Sequence, residues 1–167
     1  MSLSQKCQYA LRAVFELARR SGKAPLSVPE IARSQAIPRT FLVIILVELR
    51  RQEIVKSRRG RNGGYWLAVA PDKLTIGRVI RLVDGPLDPV KCIGRRGEEH
   101  CSLRGRCAFV DLWDRANQAV ADVYDATTFQ DLVDGRAAKP PKPPKPKRKP
   151  KRTPKRAPAS KPPAGRR

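Results

Sequence analysis

The chain has 167 residues, with 36 Lys and Arg against 15 Asp and Glu, a formal net charge of +21. Fourteen of the cations lie at or after Arg136, where no acid occurs, so residues 1–135 hold 22 cations against 15 anions, or +7, and the tail holds +14. This balance points to polyanionic partners, nucleic acid first. It comes with no apolar run long enough to span a bilayer, the longest being residues 41–47. The start, MSLSQKCQYALRA, lacks the basic region, apolar centre and small-residue cleavage site of a secretory signal. A cytoplasmic protein is expected, in which thiols stay reduced and serve metal or redox chemistry rather than structural disulfides.

Residues 4–20 predict an amphipathic helix, because Tyr9, Ala10, Ala13, Val14, Leu17 and Ala18 recur at three- and four-residue spacing. Ser2 and Gln5 are expected to form its capping box. Gly22 and Pro25 end it. Ser27-Val-Pro-Glu30 is a second capping-box signature, opening a short helix to about Ser34 with Val28 and Ile31 inward. Ile37-Pro38 starts a third helix ending near Gln52, since proline suits a first helical turn. Phe41, Leu42, Ile45, Leu46 and Leu49 form its apolar side. Two short helices joined through Gln35-Ala36-Ile37 have the form of a helix-turn-helix.

Residues 54–59 have strand character, Gly60-Arg-Asn-Gly-Gly64 is a turn, and residues 65–69 return as a second strand. A basic β-hairpin directly after a helix-turn-helix takes the place of a wing. Arg51, Arg58, Arg59 and Arg61 gather near its tip as candidate DNA contacts, against the plainer reading of a solvated hairpin. Thr75 can cap a helix to about Val83 that turns Ile76, Val79, Ile80 and Val83 to one side.

Gly85-Pro86 and Pro89 then lead into a loop holding three of the four cysteines, Cys92, Cys101 and Cys107, spaced C-x8-C-x5-C. Arg95, Arg96, Arg104 and Arg106 beside them favour the thiolate. Soft thiolates select iron–sulphur clusters, zinc or copper(I). Three leave one position open, and Cys7 and His100 are the candidate fourth donors. The plainer readings are a small buried residue for Cys7 and a solvated loop residue for His100. An iron–sulphur cluster ([2Fe–2S] or [4Fe–4S]), zinc, and a metal-free thiol switch all remain open here. With one histidine, no nucleophile motif, no phosphate loop and no C-x-x-C pair, an enzyme is not expected.

From Ala108 to about Tyr124, Phe109, Leu112, Trp113, Ala116, Ala119, Val120 and Val123 fall at heptad-like spacing. So small a domain has few surfaces to bury this stripe, and pairing with a second copy would do so. A two-fold homodimer would offer two recognition helices to a pseudo-palindromic site on double-stranded DNA. Packing on the chain's own core is the alternative. Residues 128–133 read as a last helical turn. Beyond Arg136 the tail holds 10 of the 16 prolines. It is expected to be disordered and to add salt-dependent, sequence-independent nucleic-acid affinity, unless it only solubilises. No amphipathic helix supports a membrane role.

Three stretches now stand together. They are Leu3-Ser-Gln-Lys-x-x-Tyr-Ala-Leu-Arg-Ala13, the wing Arg59-Gly-x-x-Gly-Gly-Tyr65, and Ile76-Gly-x-Val-Ile80 ahead of three cysteines. In order and spacing, residues 1–134 resemble the Rrf-type bacterial transcriptional regulators, the family of the iron–sulphur regulator IscR, the nitric-oxide sensor NsrR and the iron regulator RirA. The resemblance implies a mainly α protein with a small β-hairpin: a winged helix-turn-helix, a long C-terminal dimerisation helix and a disordered basic tail. The expected division is 1–84 for DNA binding, 85–107 for the cysteine loop, 108–134 for dimerisation and 135–167 for the tail. It further implies a dimeric regulator, a repressor by expectation, whose operator affinity is switched by an iron–sulphur cluster in loop 92–107 in response to redox, nitric oxide or iron.

Two departures from the family pattern stand out. Where members often carry polar residues mid-way along the recognition helix, this chain has Val43 and Ile44, so base contacts are expected to shift to Arg39 and Thr40, with Ser27 at the preceding helix start. Where IscR-like members have a histidine after the third cysteine, this chain has Val110. Relatives of the NsrR kind take a ligand near the start of the first helix from the partner subunit; the aligned residue here is Gln8, next to Cys7.

Overall fold

The computed structural model describes residues 3–87, 103 and 106–136. Helix α1 (Gln5–Arg19) opens at Ser4, whose Oγ accepts the Cys7 N–H at 3.0 Å. The cap is therefore Ser4 rather than the expected Ser2–Gln5 pair, and Ser2 lies outside the described residues. The reason is a partner far along the chain. Ser4 donates its own N–H and hydroxyl to the Asp84 carboxylate at 2.9 and 2.5 Å, which pins the helix start at this serine.

Helix α2 (Val28–Gln35) carries the expected Ser27–Glu30 capping box. Ala36 follows in the left-handed region, at φ 48° and ψ 49°, and this single residue turns the chain toward α3 (Arg39–Arg51). The turn is tied back to α1 by a buried carboxylate: Glu16 accepts from Gln35 Nε2 at 2.8 Å and Arg19 Nη1 at 3.1 Å. Pro38 stands at the N-cap of α3, one place before the first turn where it was expected. Leu42, Ile45, Leu46 and Leu49 are buried with Ala10, Ala13, Val14 and Leu17 of α1 and Ile31 of α2. Phe41, expected on that inner side, is 54% exposed with its ring 6.1 Å from Tyr9. Positions 42, 45, 46 and 49 already fill the inward stripe, and residue 41 lies about 100° away from residue 42 around the axis.

Strands β1 (Val55–Arg58) and β2 (Gly64–Leu67) pair antiparallel, with Val55 opposite Leu67 and Arg58 opposite Gly64. Both are shorter than the expected 54–59 and 65–69; Ile54 closes α3 by donating its N–H to Leu49 O at 2.9 Å and still accepts the Ala68 N–H at 2.9 Å, one hydrogen bond beyond the paired strands. Leu26 and Tyr65 exchange backbone hydrogen bonds at 2.9 and 2.8 Å, fastening the hairpin to the entry of α2. A 3-10 turn (Pro71–Lys73) leads to α4 (Ile76–Val83), capped by Thr75, whose Oγ accepts the Arg78 N–H at 3.2 Å.

After the cysteine loop come α5 (Val110–Ala126), two residues later at each end than expected, and α6 (Phe129–Val133). The chain returns to the winged domain between them. Ile76 donates to Thr127 O at 2.9 Å and Phe129 to Leu74 O at 3.0 Å, and the Phe129 ring is fully buried in the core shared with α1, α3 and α4. Thr128 caps α6 in a box with Asp131. No described helix is long and apolar enough to cross a membrane.

Candidate nucleic-acid interface and cysteine loop

With four residues of α3 turned inward, its opposite side is left to solvent. Arg39, Thr40, Val43, Ile44, Arg50 and Arg51 are exposed, and Val47 is half-buried. Arg39 and Thr40, expected as base contacts, stand in the first turn of this free face. Glu48, the one acid in α3, is paired with Lys6 at 2.6 Å. The face thus presents cations at both ends and no uncompensated negative charge.

Arg58, Arg59 and Arg61 are exposed on the hairpin beside that helix. Arg58 Nη2 donates to Asn62 O at 3.0 Å, which braces the turn, while Arg50 Nη1 meets Ser57 Oγ at 3.4 Å. An open cleft of about 660 Å³ runs between the end of α3 and the hairpin, lined in part by Arg50, Lys56, Trp66 and Arg78, with Glu53 the one acid of its lining. Sequence reasoning missed Arg50, Lys56 and Arg78 as members of this basic surface. The alternation in β1, which puts Lys56 and Arg58 on one side of the ribbon, was the available signal. Ser27, the remaining expected contact, directs its N–H and hydroxyl to Glu30 at 2.7 and 2.5 Å. Those hydrogen bonds hold the Glu30 carboxyl below its ordinary range.

Of the expected metal ligands, Cys92, Cys101 and His100 lie outside the described residues, as do Arg95, Arg96 and Arg104. Cys107 is half-buried three residues before α5 begins. Cys7 is fully buried in α1, and its thiol is pushed up to about 12 by burial, by the Asp84 charge and by a hydrogen bond to Asp84. Among the described residues no cluster of His, Cys, Asp or Glu comes together as a metal site.

Helix α5 has no buried residue. Phe109, Leu112, Ala116 and Val123 are exposed and Trp113 and Val120 half-buried, with the Phe109 and Trp113 rings 6.3 Å apart. The helix is fastened to α4 by the Arg81–Asp125 ion pair, beside Gly77, where any Cβ would collide with the Asp125 carboxylate.

Residues 3–135 match the Rrf2 family, described as "Iron-dependent Transcriptional regulator". The chain is similar to the HTH-type transcriptional regulator CymR of Bacillus subtilis, 36% identical over 133 residues, or 80% of this chain and 90% of that protein. It is similar also to the HTH-type transcriptional regulator IscR of Sodalis glossinidius, 34% identical over 133 residues, or 80% of this chain and 79% of that one. A solved structure of B. subtilis CymR, described as its global cysteine regulator, matches with a TM-score of 0.68 at 34% identity, covering 82% of this chain and 99% of that one.

Proposed function

Because the chain belongs to the Rrf2 family of DNA-binding transcriptional regulators, we propose that it works as a homodimeric repressor whose operator affinity is set by the state of its cysteine loop. The observation that carries this reading is how the loop is flanked. On one side, Asp84 is bonded to Ser4, the cap of the helix on which α3 packs. On the other, Cys107 leads into α5, on which Phe109, Leu112, Ala116 and Val123 are exposed among the described residues. A change in the loop therefore bears at once on the placement of the recognition helix and on the helix expected to pair the two subunits. Two half-sites are read together, so a small shift in their separation costs affinity.

Cys92, Cys101 and Cys107 are the proposed ligands of an iron–sulphur cluster, which when bound supplies redox-, nitric-oxide- and iron-responsive chemistry. Cys7, which lies in the α1 core beside Asp84, and His100 are the two candidates for the fourth donor. Arg39 and Thr40 meet bases, and Arg51, Arg58, Arg59 and Arg61 meet phosphates. The likeness to Staphylococcus aureus CymR, solved in an oxidized form, favours as a second reading a metal-free thiol switch at the same cysteines. Zinc at these positions is the third. An anaerobic visible spectrum with iron and zinc analysis separates them. The cluster reading expects visible absorbance and iron; a colourless protein with zinc, or with neither metal, would remove it in favour of one of the others.

A further inference from the structure

The free face of α3 is unusual in chemistry. At about 100° per residue, Thr40, Val43, Ile44 and Val47 form one outward stripe opposite Leu42, Ile45, Leu46 and Leu49. All four are β-branched and end in methyl groups, and only Thr40 carries a hydrogen-bonding group. Ile44 is 63% exposed and Val43 44%. Stiff side chains of this kind lose little rotamer freedom when they dock. A monomeric domain has no reason of stability to hold them in water.

The surroundings say what covers the stripe. Arg39 stands at one end of it and Arg50 and Arg51 at the other, with Arg58, Arg59 and Arg61 on the adjoining hairpin. Lys6 neutralises Glu48, the acid nearest the stripe. An apolar strip inside a frame of cations fits a groove whose floor offers methyl groups and whose rims carry phosphates. In the major groove that floor is thymine, the one base with a C5 methyl. From Thr40 to Val47 the stripe is about 10 Å long at 1.5 Å per residue, matching roughly three base steps at ~3.4 Å each.

We propose that this protein selects its operator by apolar contact between Val43, Ile44 and Val47 and a run of thymine methyls in each half-site, in place of hydrogen-bonded base readout at those positions. This rests on the reading of α3 as the recognition helix. It also returns to Val43 and Ile44 a part in specificity that their lack of polar atoms had seemed to remove.

The test begins with sites enriched from a random DNA pool by the full-length protein. Each thymine of the enriched half-site is then replaced by deoxyuracil, which deletes the methyl and leaves base pairing unchanged. The expected result is an A·T-rich core in which one or more replacements weaken binding by about three- to five-fold each, the effect of losing one buried methyl. Ile44→Ala should lose the discrimination between thymine and deoxyuracil at one of the sensitive positions and keep it at those met by Val43 and Val47. Wild-type affinity indifferent to every replacement would overturn the proposal while leaving DNA binding intact; a failure to enrich any site would remove the recognition-helix reading along with it. Sedimentation of Ile44→Ala supplies the remaining control. A mass equal to that of wild type is expected, and dissociation into smaller species would identify the stripe as a protein interface and overturn the proposal.

Discussion

Cys7 shows how one side chain can be read two ways until its surroundings are known. In sequence it is a fourth thiol in a chain with three others in one segment; in the structure it is part of the α1 core, beside Asp84. Its folded thiol is pushed up from 9.0 to about 12. Below pH 9 both folded and unfolded chains keep the proton, and the site is neutral to pH. Between about 9 and about 12 only the unfolded chain loses it, so this group draws stability down as pH rises. Urea denaturation of wild type and Cys7→Ala should show the wild-type advantage shrinking across that window and constant below it. Phe129 is the other residue whose meaning needed the fold. Five residues of α6 gave no helical period to speak of, yet the ring is wholly enclosed. Phe129→Ala should cost about 3–5 kcal/mol by the same measurement, whereas a ring on a detached C-terminal arm would cost little.

At the level of elements, α1 to α4 were legible because each has an apolar period and a start signal, a serine or threonine for α1, α2 and α4 and Pro38 for α3, and the hairpin because Asn62-Gly63-Gly64 sits between strand-forming runs. What could not be read were the fastenings between them: Ser4 to Asp84, Glu16 to Gln35, Leu26 to Tyr65 and Leu74 to Phe129. Local pattern carries no information about partners so far apart. Phe41 was misplaced for a related reason, since hydrophobicity alone does not say that the inward stripe of α3 is already full. The Leu26–Tyr65 fastening depends on Gly64. A Cβ there would lie 2.6 Å from the Leu26 carbonyl oxygen. Gly64→Ala should therefore destabilise the fold by about 1–3 kcal/mol and shift the hairpin, seen as weaker operator binding with α-helical circular dichroism retained. Helix α5 makes the opposite demonstration: the helix forms where its spacing put it, yet among the described residues Phe109, Leu112, Ala116 and Val123 stay exposed. Leu112→Asp with Val123→Asp should halve the sedimenting mass while leaving the winged domain folded. Unchanged mass would mean that α5 is not the seam.

For the whole molecule, the charge asymmetry separates two kinds of binding. The family match ends at residue 135, and the tail that follows carries 14 cations. Each phosphate neutralised contributes roughly −0.9 to the slope of log affinity against log salt on duplex DNA. Removing residues 136–167 should flatten that slope by several units and leave site preference intact; loss of most specific binding would make the tail, and not the winged helix, the chief reader. The most direct test of the central claim is operator affinity measured anaerobically, then after exposure to oxygen or nitric oxide, for wild type and for the variant with Cys92, Cys101 and Cys107 all changed to Ala. The account predicts a change of about tenfold or more in wild type, within the usual range of allosteric coupling, and none in the variant. An equal response in both, with DNA binding intact, would contradict it.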